Sequence, residues 1–340
     1  MAALLRKWPK LLAMGLVLGG LAGSYLWLYW HTPAGQDGHP RIVSIPAGAT
    51  LRQIAARLAQ VGVIRHQGMF VLYARLRGAA AQLQAGEYAL RATMSPAQVL
   101  DILRHGNVIY HSLTIPEGLT VRDIAALIAA KGLGDRQTIL RLAHDAAFIR
   151  SLGLTVPSLE GYLFPETYHV PRSMNERDLL RLMVQTLRKN YTRDIALRAQ
   201  RLGMTQHEVV TLASLIEKEA HVDEERPLIS AVFHNRLRKG MRLQADPTVI
   251  YALGERFDGN LRKKDLAIDS PYNTYRYAGL PPGPIANPGR RSLQAAVAPA
   301  PVDYLYFVAT GKHGRHHFST TLREHNQAVR KYQLGRRASP

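Results

Sequence analysis

Leu11 to Trp30 is an uncharged run of twenty residues, the feature that most narrows what this 340-residue chain can become. As a helix rising ~1.5 Å per residue, such a run covers the ~30 Å hydrocarbon core of a bilayer. Arg6, Lys7 and Lys10 precede it, whereas His31 to Pro40 carries Asp37 and no Lys or Arg. The positive-inside rule makes residues 1–10 a cytoplasmic tail and puts the bulk of the chain outside the cytosol. A cleaved signal peptide would have Leu11 to Gly20 as its apolar core and Leu21-Ala22-Gly23 as a poor small-residue cleavage site. The run instead continues through Tyr25, Leu26, Trp27, Leu28, Tyr29 and Trp30, a cluster suited to the far lipid–water interface of a retained span over 11–30.

That topology gives the charge a meaning. Lys+Arg number 44 against 25 Asp+Glu, a formal net charge of +19, which calls for an acidic partner or surface. Outside the cytosol the acidic polymers within reach are cell wall and the anionic membrane face, so nucleic acid is not the expected partner. There is no cysteine, which removes a disulfide framework, a thiolate nucleophile, a Cys-ligated metal and a lipidated cysteine anchor.

Residues 31–40, with Pro, Gly and polar residues, read as a linker. A repeated unit follows. Ser44-Ile-Pro-Ala-Gly-Ala-Thr-Leu-Arg-Gln-Ile-Ala-Ala returns seventy residues later as Thr114-Ile-Pro-Glu-Gly-Leu-Thr-Val-Arg-Asp-Ile-Ala-Ala. Each copy reads as a short strand ending at Ile-Pro, a Gly turn, an N-cap at Thr50 or Thr120, and an amphipathic helix closed by Gly62 or Gly132. The first copy continues through a strand signal at Leu83 to Leu90 and a capped helix opened by Ser95-Pro-Ala-Gln98, so that two strands and two helices make a small α+β module over 41–110. Residues 111–200 hold the second copy and a mostly helical region, interrupted by Ser158-Leu-Glu-Gly-Tyr-Leu-Phe-Pro-Glu-Thr-Tyr168, where Gly, Pro and aromatics break the period. Residues 201–340 form a core of mixed elements, including a helix near Glu225 to Lys239 and a buried strand at Tyr304 to Ala309. His317-Phe318-Ser319 is a hairpin partner for that strand across a turn at Gly311 to Gly314. The fold class is α+β.

Dinucleotide, P-loop, serine-hydrolase and zinc-protease motifs are missing from the sequence. His313, His316, His317 and His325 lie in a basic Gly-rich stretch without carboxylates at ligand spacing, which reads as a solvated loop rather than a metal centre. The most informative helix runs from Gln206 to Ala220 behind a capping box, Thr205-Gln-His-Glu208. Stepping ~100° per residue puts Val209, Leu212, Ala213, Leu215, Ile216 and Ala220 on one face, with Glu219 among them, Lys218 opposite and Glu217 near the edge. A carboxyl on an apolar face loses hydration, so its pKa rises and it can serve as a general acid near neutrality. An ion pair of Glu219 with Arg236 or Arg242 is the competing reading. Glycosidic cleavage suits such a proton donor beside aromatics and amides; a hydrolase would need a second carboxylate, for which Glu166, Glu217, Asp223 and Asp246 compete.

Leu212-Ala-Ser-Leu-Ile-Glu-Lys-Glu-Ala220, Val232-Phe-His-Asn-Arg-Leu237, Met241-Arg-Leu-Gln-Ala-Asp-Pro-Thr-Val-Ile-Tyr251, Tyr272-Asn-Thr-Tyr275 and Gly279-Leu-Pro-Pro-Gly283 together resemble the YceG-like (MltG-type) endolytic murein transglycosylases. The N-terminal span, the Ile-Pro-x-Gly module, similar to a LysM domain, and the Gly161 to Tyr168 segment fall in that family's order. Ala220 and Ala245 depart from the Ser or Thr common there. The resemblance implies cleavage of the β-1,4 bond between N-acetylmuramic acid and N-acetylglucosamine inside a glycan strand, leaving a 1,6-anhydro end, without metal or cofactor. It maps the catalytic carboxylate onto Glu219 and suggests Gln244, Asp246, Asn273 and Tyr275 as hydrogen-bonding residues for sugar or acetamido groups. Tyr251 and Tyr272 are stacking candidates, Glu166 a cleft candidate and Glu217 a structural residue. It further implies a bacterial inner-membrane location, a periplasmic catalytic part, termination of nascent strands and penicillin-binding synthases as partners. Two rival functions are a tethered peptidoglycan-binding scaffold without activity, and a hydrolytic muramidase using Glu219 with Asp246 or Glu166.

Overall fold

The computed structural model describes residues 8–311 and 314–334. The tail with Arg6 and Lys7, and His313 of the basic turn, lie outside the described residues. The chain forms two compact units, Met1–His111 with His169–Met174, and Ser112–Tyr168 with Asn175–Pro340.

In the first unit α1 (Trp8–His31) contains Leu12–His31, twenty residues of mean hydropathy 1.5, none of them fully buried in protein, long and apolar enough to cross a membrane. Its last turn is fastened to the rest of the unit: the Trp30 and Tyr73 rings lie 4.6 Å apart, and the Tyr29 hydroxyl accepts from the His66 amide at 2.9 Å. Then come β1 (Arg41–Ile45), α2 (Leu51–Gln60), α3 (Gln67–Leu76), β2 (Gly86–Leu90) and α4 (Pro96–His105). Strands β1 and β2 pair antiparallel with Val43 opposite Tyr88. Val43, Ile45, Leu58, Phe70, Tyr88 and Leu103 are core residues. The capping boxes at Thr50 and Ser95 form as their spacing predicts. One element exceeds the expected two strands and two helices: α3 has no side-chain cap and carries Gly68 in its first turn, so local signals miss it. Burial of Phe70, Val71, Tyr73 and Ala74 makes it a helix.

In the second unit β3 (His111–Thr114) leads into the repeated turn and α5 (Val121–Ala130), capped by Thr120 and Asp123. Helices α6 (Arg136–His144) and α7 (Ala146–Ser151) precede the aromatic loop, and β4 (Thr167–Val170) follows it, pairing with β3. The aromatic break thus ends in a strand, an element its irregular composition does not announce. Helices α8 (Glu176–Asn190), α9 (Arg193–Arg201), α10 (Gln206–Glu219), α11 (Arg226–Arg238), α12 (Asp246–Leu253) and α13 (Arg290–Ala296) follow. The hairpin β5 (Tyr306–Ala309) and β6 (His316–Ser319) pairs Phe307 with Phe318, as expected, although of the β5 residues only Val308 is fully buried. Helix α14 (Leu322–Val329) closes the series. At the centre α10 packs on α11 and α13, with Val209 to Ile216 all buried; each such large aliphatic side chain contributes about 1.5–3 kcal/mol.

Candidate active site

Helix α10 is held at both ends of its buried stretch before it delivers Glu219. The Thr205 hydroxyl accepts from the Glu208 amide at 3.2 Å, and Glu208 Oε2 accepts from the Thr205 amide at 2.7 Å. Farther along, Ser214 Oγ accepts from the Ile285 amide at 3.0 Å, tying the helix to the Pro-rich segment. Glu219 is the last helical residue. It keeps part of its surface open, yet the surrounding protein dehydrates its carboxyl. Burial first and the negative charge of Asp246 second push its pKa up to about 8. The C-terminal end of a helix is itself unfavourable for an anion.

No hydrogen bond or ion pair reaches the Glu219 carboxyl among the described residues, so the competing reading as a structural ion pair is not what the fold builds. Arg236 is engaged elsewhere. Its guanidinium donates to the carbonyls of Leu305 at 2.7 Å, Arg242 at 3.2 Å and Leu243 at 2.7 Å, and to Gln244 Oε1 at 3.3 Å. This one side chain shapes the segment that brings Gln244 and Asp246 to the site.

Gln244 is the only non-glycine with positive φ (51°) among the described residues. Such a conformation costs roughly 1–3 kcal/mol and persists only where neighbours enforce it. Here the Gln244 amide donates to the Thr274 carbonyl at 3.1 Å and the Ala245 amide to Thr274 Oγ1 at 3.0 Å. Asp246 then opens α12, the end at which aligned peptide dipoles favour a negative charge. The Tyr275 hydroxyl donates to Asp246 Oδ1 at 2.5 Å. Burial first, then its bond to Asp246, raises the Tyr275 pKa, so the phenol stays a donor.

The other expected residues divide. Asn273 is fully buried, and its amide bonds the carbonyls of Leu266 and Ile268 at 3.0 and 2.8 Å and the Tyr275 amide at 3.0 Å; both of its N–H groups are taken by the loop it shapes. Tyr251 and Tyr272 face each other with ring centroids 5.0 Å apart. Glu166 is exposed and bonds its neighbour's amide. Glu217 is a structural residue: it pairs with Arg226 at 3.1 Å and accepts from the Gly289 amide at 2.9 Å. Asp223 also lies on Arg226, at 3.0 Å. His316 bonds Glu225 at 2.8 Å, and the His325 ring stacks on Tyr306 at 5.2 Å.

Sequence reasoning passed over Glu160. It is 6% exposed, and burial pushes its pKa up to about 7. The signal was present in the sequence as a carboxylate flanked by Leu159 and Gly161 in an apolar aromatic loop. Gly161 is required there: its φ is 83°, and a Cβ would run into Pro284 and Val210.

A desolvated lone carboxyl beside a carboxylate–phenol pair is equipped to donate a proton to an oxygen leaving group and to take one back. Comparison with known proteins agrees in class. The YceG-like family model matches residues 43–331. An endolytic murein transglycosylase of Bacillus subtilis (strain 168) is 38% identical over 307 residues, 85% of this chain and 84% of that protein. The endolytic murein transglycosylase of Streptococcus pneumoniae (serotype 2, strain D39) is 31% identical over 317 residues, 84% of this chain but 57% of that longer protein. A 2.6 Å crystal structure of a yceG-like protein from Listeria monocytogenes aligns with TM-score 0.59 at 36% identity, covering 85% of this chain and 98% of that one.

Proposed function

This chain belongs to the YceG-like family, and from that membership we propose that it is an endolytic murein transglycosylase acting on peptidoglycan with Glu219 as its acid and base. The observation that carries the reading is the state of Glu219: unpaired among the described residues, desolvated, and held toward its protonated form by burial and by Asp246.

The reaction follows from one such group. Protonated Glu219 gives its proton to the glycosidic oxygen between N-acetylmuramic acid and N-acetylglucosamine, and the bond to the muramic C1 breaks. The C1 centre takes on oxocarbenium character, which the negative field of Asp246 favours. The C6 hydroxyl of the same muramic acid attacks C1, and its proton returns to the Glu219 carboxylate. The product carries a 1,6-anhydro ring and no water is consumed. Intramolecular attack gives a high effective concentration of nucleophile. Gln244 and Tyr275 are the polar groups best placed to meet sugar or acetamido groups; Tyr251 and Tyr272 belong to the supporting wall. Asn273 supports the same loop from within, and Glu166 remains a candidate at the outer edge.

The apolar helix α1 supports anchoring in the bacterial inner membrane, N-terminus inside and catalytic unit in the periplasm. There the enzyme would cut nascent strands near their point of synthesis, alongside penicillin-binding synthases. The first unit, with its strands, helices and Ile-Pro-x-Gly turn, fits a LysM-like glycan-binding module.

One observation favours a second reading. Asp246 acts electrostatically on Glu219, and a second carboxylate is what a hydrolytic muramidase needs. Mass spectrometry of fragments released from purified peptidoglycan decides: anhydro ends that vanish in Glu219→Gln establish the transglycosylase, whereas reducing muramic acid ends establish the muramidase. Sacculi bound but left uncut by the wild-type chain would point to a scaffold.

A further inference from the structure

We propose that Glu160 is a positioning residue for the Glu219 site, holding the Asp246–Tyr275 pair in place through Tyr251 and Tyr272. The inference rests on the reading of Glu219 and Asp246 as the reacting centre.

Glu160 is surrounded by donors. Its Oε1 accepts from the amide of Val121, the first residue of α5, at 3.0 Å and from Asn287 Nδ2 at 3.2 Å. Its Oε2 accepts from the Tyr251 hydroxyl at 3.3 Å. The first two contacts tie the start of α5 and the Pro-rich segment to the aromatic loop. Asn287 also donates to the Leu119 carbonyl at 2.9 Å and accepts from the Leu163 amide at 2.8 Å, so the loops would remain joined without Glu160.

The Tyr251 contact has a different reach. Tyr251 lies on α12, about a turn and a half after Asp246, and its ring packs on Tyr272 at 5.0 Å. Tyr272 opens the segment Asn273-Thr274-Tyr275, whose phenol holds Asp246. Both partners of the Tyr275–Asp246 bond therefore follow from one aromatic pair, and the polar end of that pair is tied to Glu160. Asn at the Asp246 end or Gln at the Glu160 end preserves size and removes charge, which makes the link separable from packing.

Several charged and titratable groups face this linkage. Asp123 on α5 acts on Glu160, Arg122 acts on Tyr251 and pairs with Glu255 at 3.6 Å, and Tyr275 faces Asp246, Glu219 and Arg236. Glu160 ionised is the better acceptor for its donors, and loss of that charge slackens the Tyr251 end of α12.

The test is a double-mutant cycle of Glu160→Gln and Asp246→Asn in the full chain, read as the pH profile of anhydro-end release. Glu160→Gln should lower kcat on the order of 10-fold with KM little changed, and move the alkaline limb to lower pH. In the Asp246→Asn background it should produce no further shift, and Tyr251→Phe, which removes only a hydroxyl, should copy the single variant. A limb that stays in place in both Glu160→Gln and Tyr251→Phe, or additive shifts in the cycle, would overturn the proposal. The coupling is also read without turnover, by NMR titration of the Glu219 carboxyl carbon in the same four proteins. An inactive wild type would therefore sink the transglycosylase reading alone, while an unmoved Glu219 midpoint would sink this one.

Discussion

Asp246 receives the Tyr275 phenol at 2.5 Å and adds, after burial, the second influence that raises the pKa of Glu219. The two carboxyl groups thus have opposite environments set by position: one starts a helix, the other ends one. The opposed ends of the peptide dipoles favour charge on Asp246 and disfavour it on Glu219.

Asp246→Asn removes the charge and keeps the shape. The Glu219 pKa should fall from about 8 toward the ordinary carboxyl value, and the alkaline limb of the rate profile should move down with it, because the acid form is lost earlier. An unmoved limb would mean that burial alone sets the Glu219 proton.

Folding stability should carry the same signature. The Glu219 pKa is raised in the folded chain, so between the ordinary carboxyl value of 4.5 and about 8 the folded state binds more protons than the unfolded one. Its contribution is present in full below 4.5 and is lost as pH rises through 8. Glu219→Gln should therefore raise Tm relative to wild type at pH 9 by more than at pH 5, which calorimetry at the two pH values reads directly.

Arg236→Lys keeps a cation and loses the fork that reaches three carbonyls and Gln244. Replacing five fixed donors with a point charge should cost about 1.5–3 kcal/mol. Denaturant titration measures that loss, and activity should drop further than stability alone explains, since the Gln244 side chain loses its guanidinium partner.

Gly161→Ala should destabilise by about 1–3 kcal/mol or more, from the left-handed backbone and the clash with Pro284 and Val210. A chemical-denaturation midpoint equal to wild type would contradict the close approach of the aromatic loop to the Pro-rich segment.

The local grammar of the chain was readable because caps and glycines act within a few residues. Thr50, Ser95, Thr120 and Thr205 all cap the helices their spacing predicts, and Gly62 and Gly132 end the two repeated helices. The apolar face of α10 was legible for the same reason, and with it the exposure of Glu219 to dehydration. What periodicity could not supply was contact between segments far apart in the chain. Glu160 meets Asn287 and Tyr251 across 127 and 91 residues, and nothing local to Glu160 reveals either. Asn273 illustrates the converse: an amide in a motif reads as a ligand for substrate until its loop is folded around it. Helix α3 was missed because it forms through burial rather than through a cap.

Because Glu219 occupies the final residue of α10, the acid sits where a helix opens most readily, ahead of the well-packed turns from Val209 to Ile216. Local opening at such an end needs less free energy than global unfolding. On gradual warming the proposed proton donor should thus lose its placement before the second unit melts, and activity would be lost while the circular dichroism is still that of the folded chain.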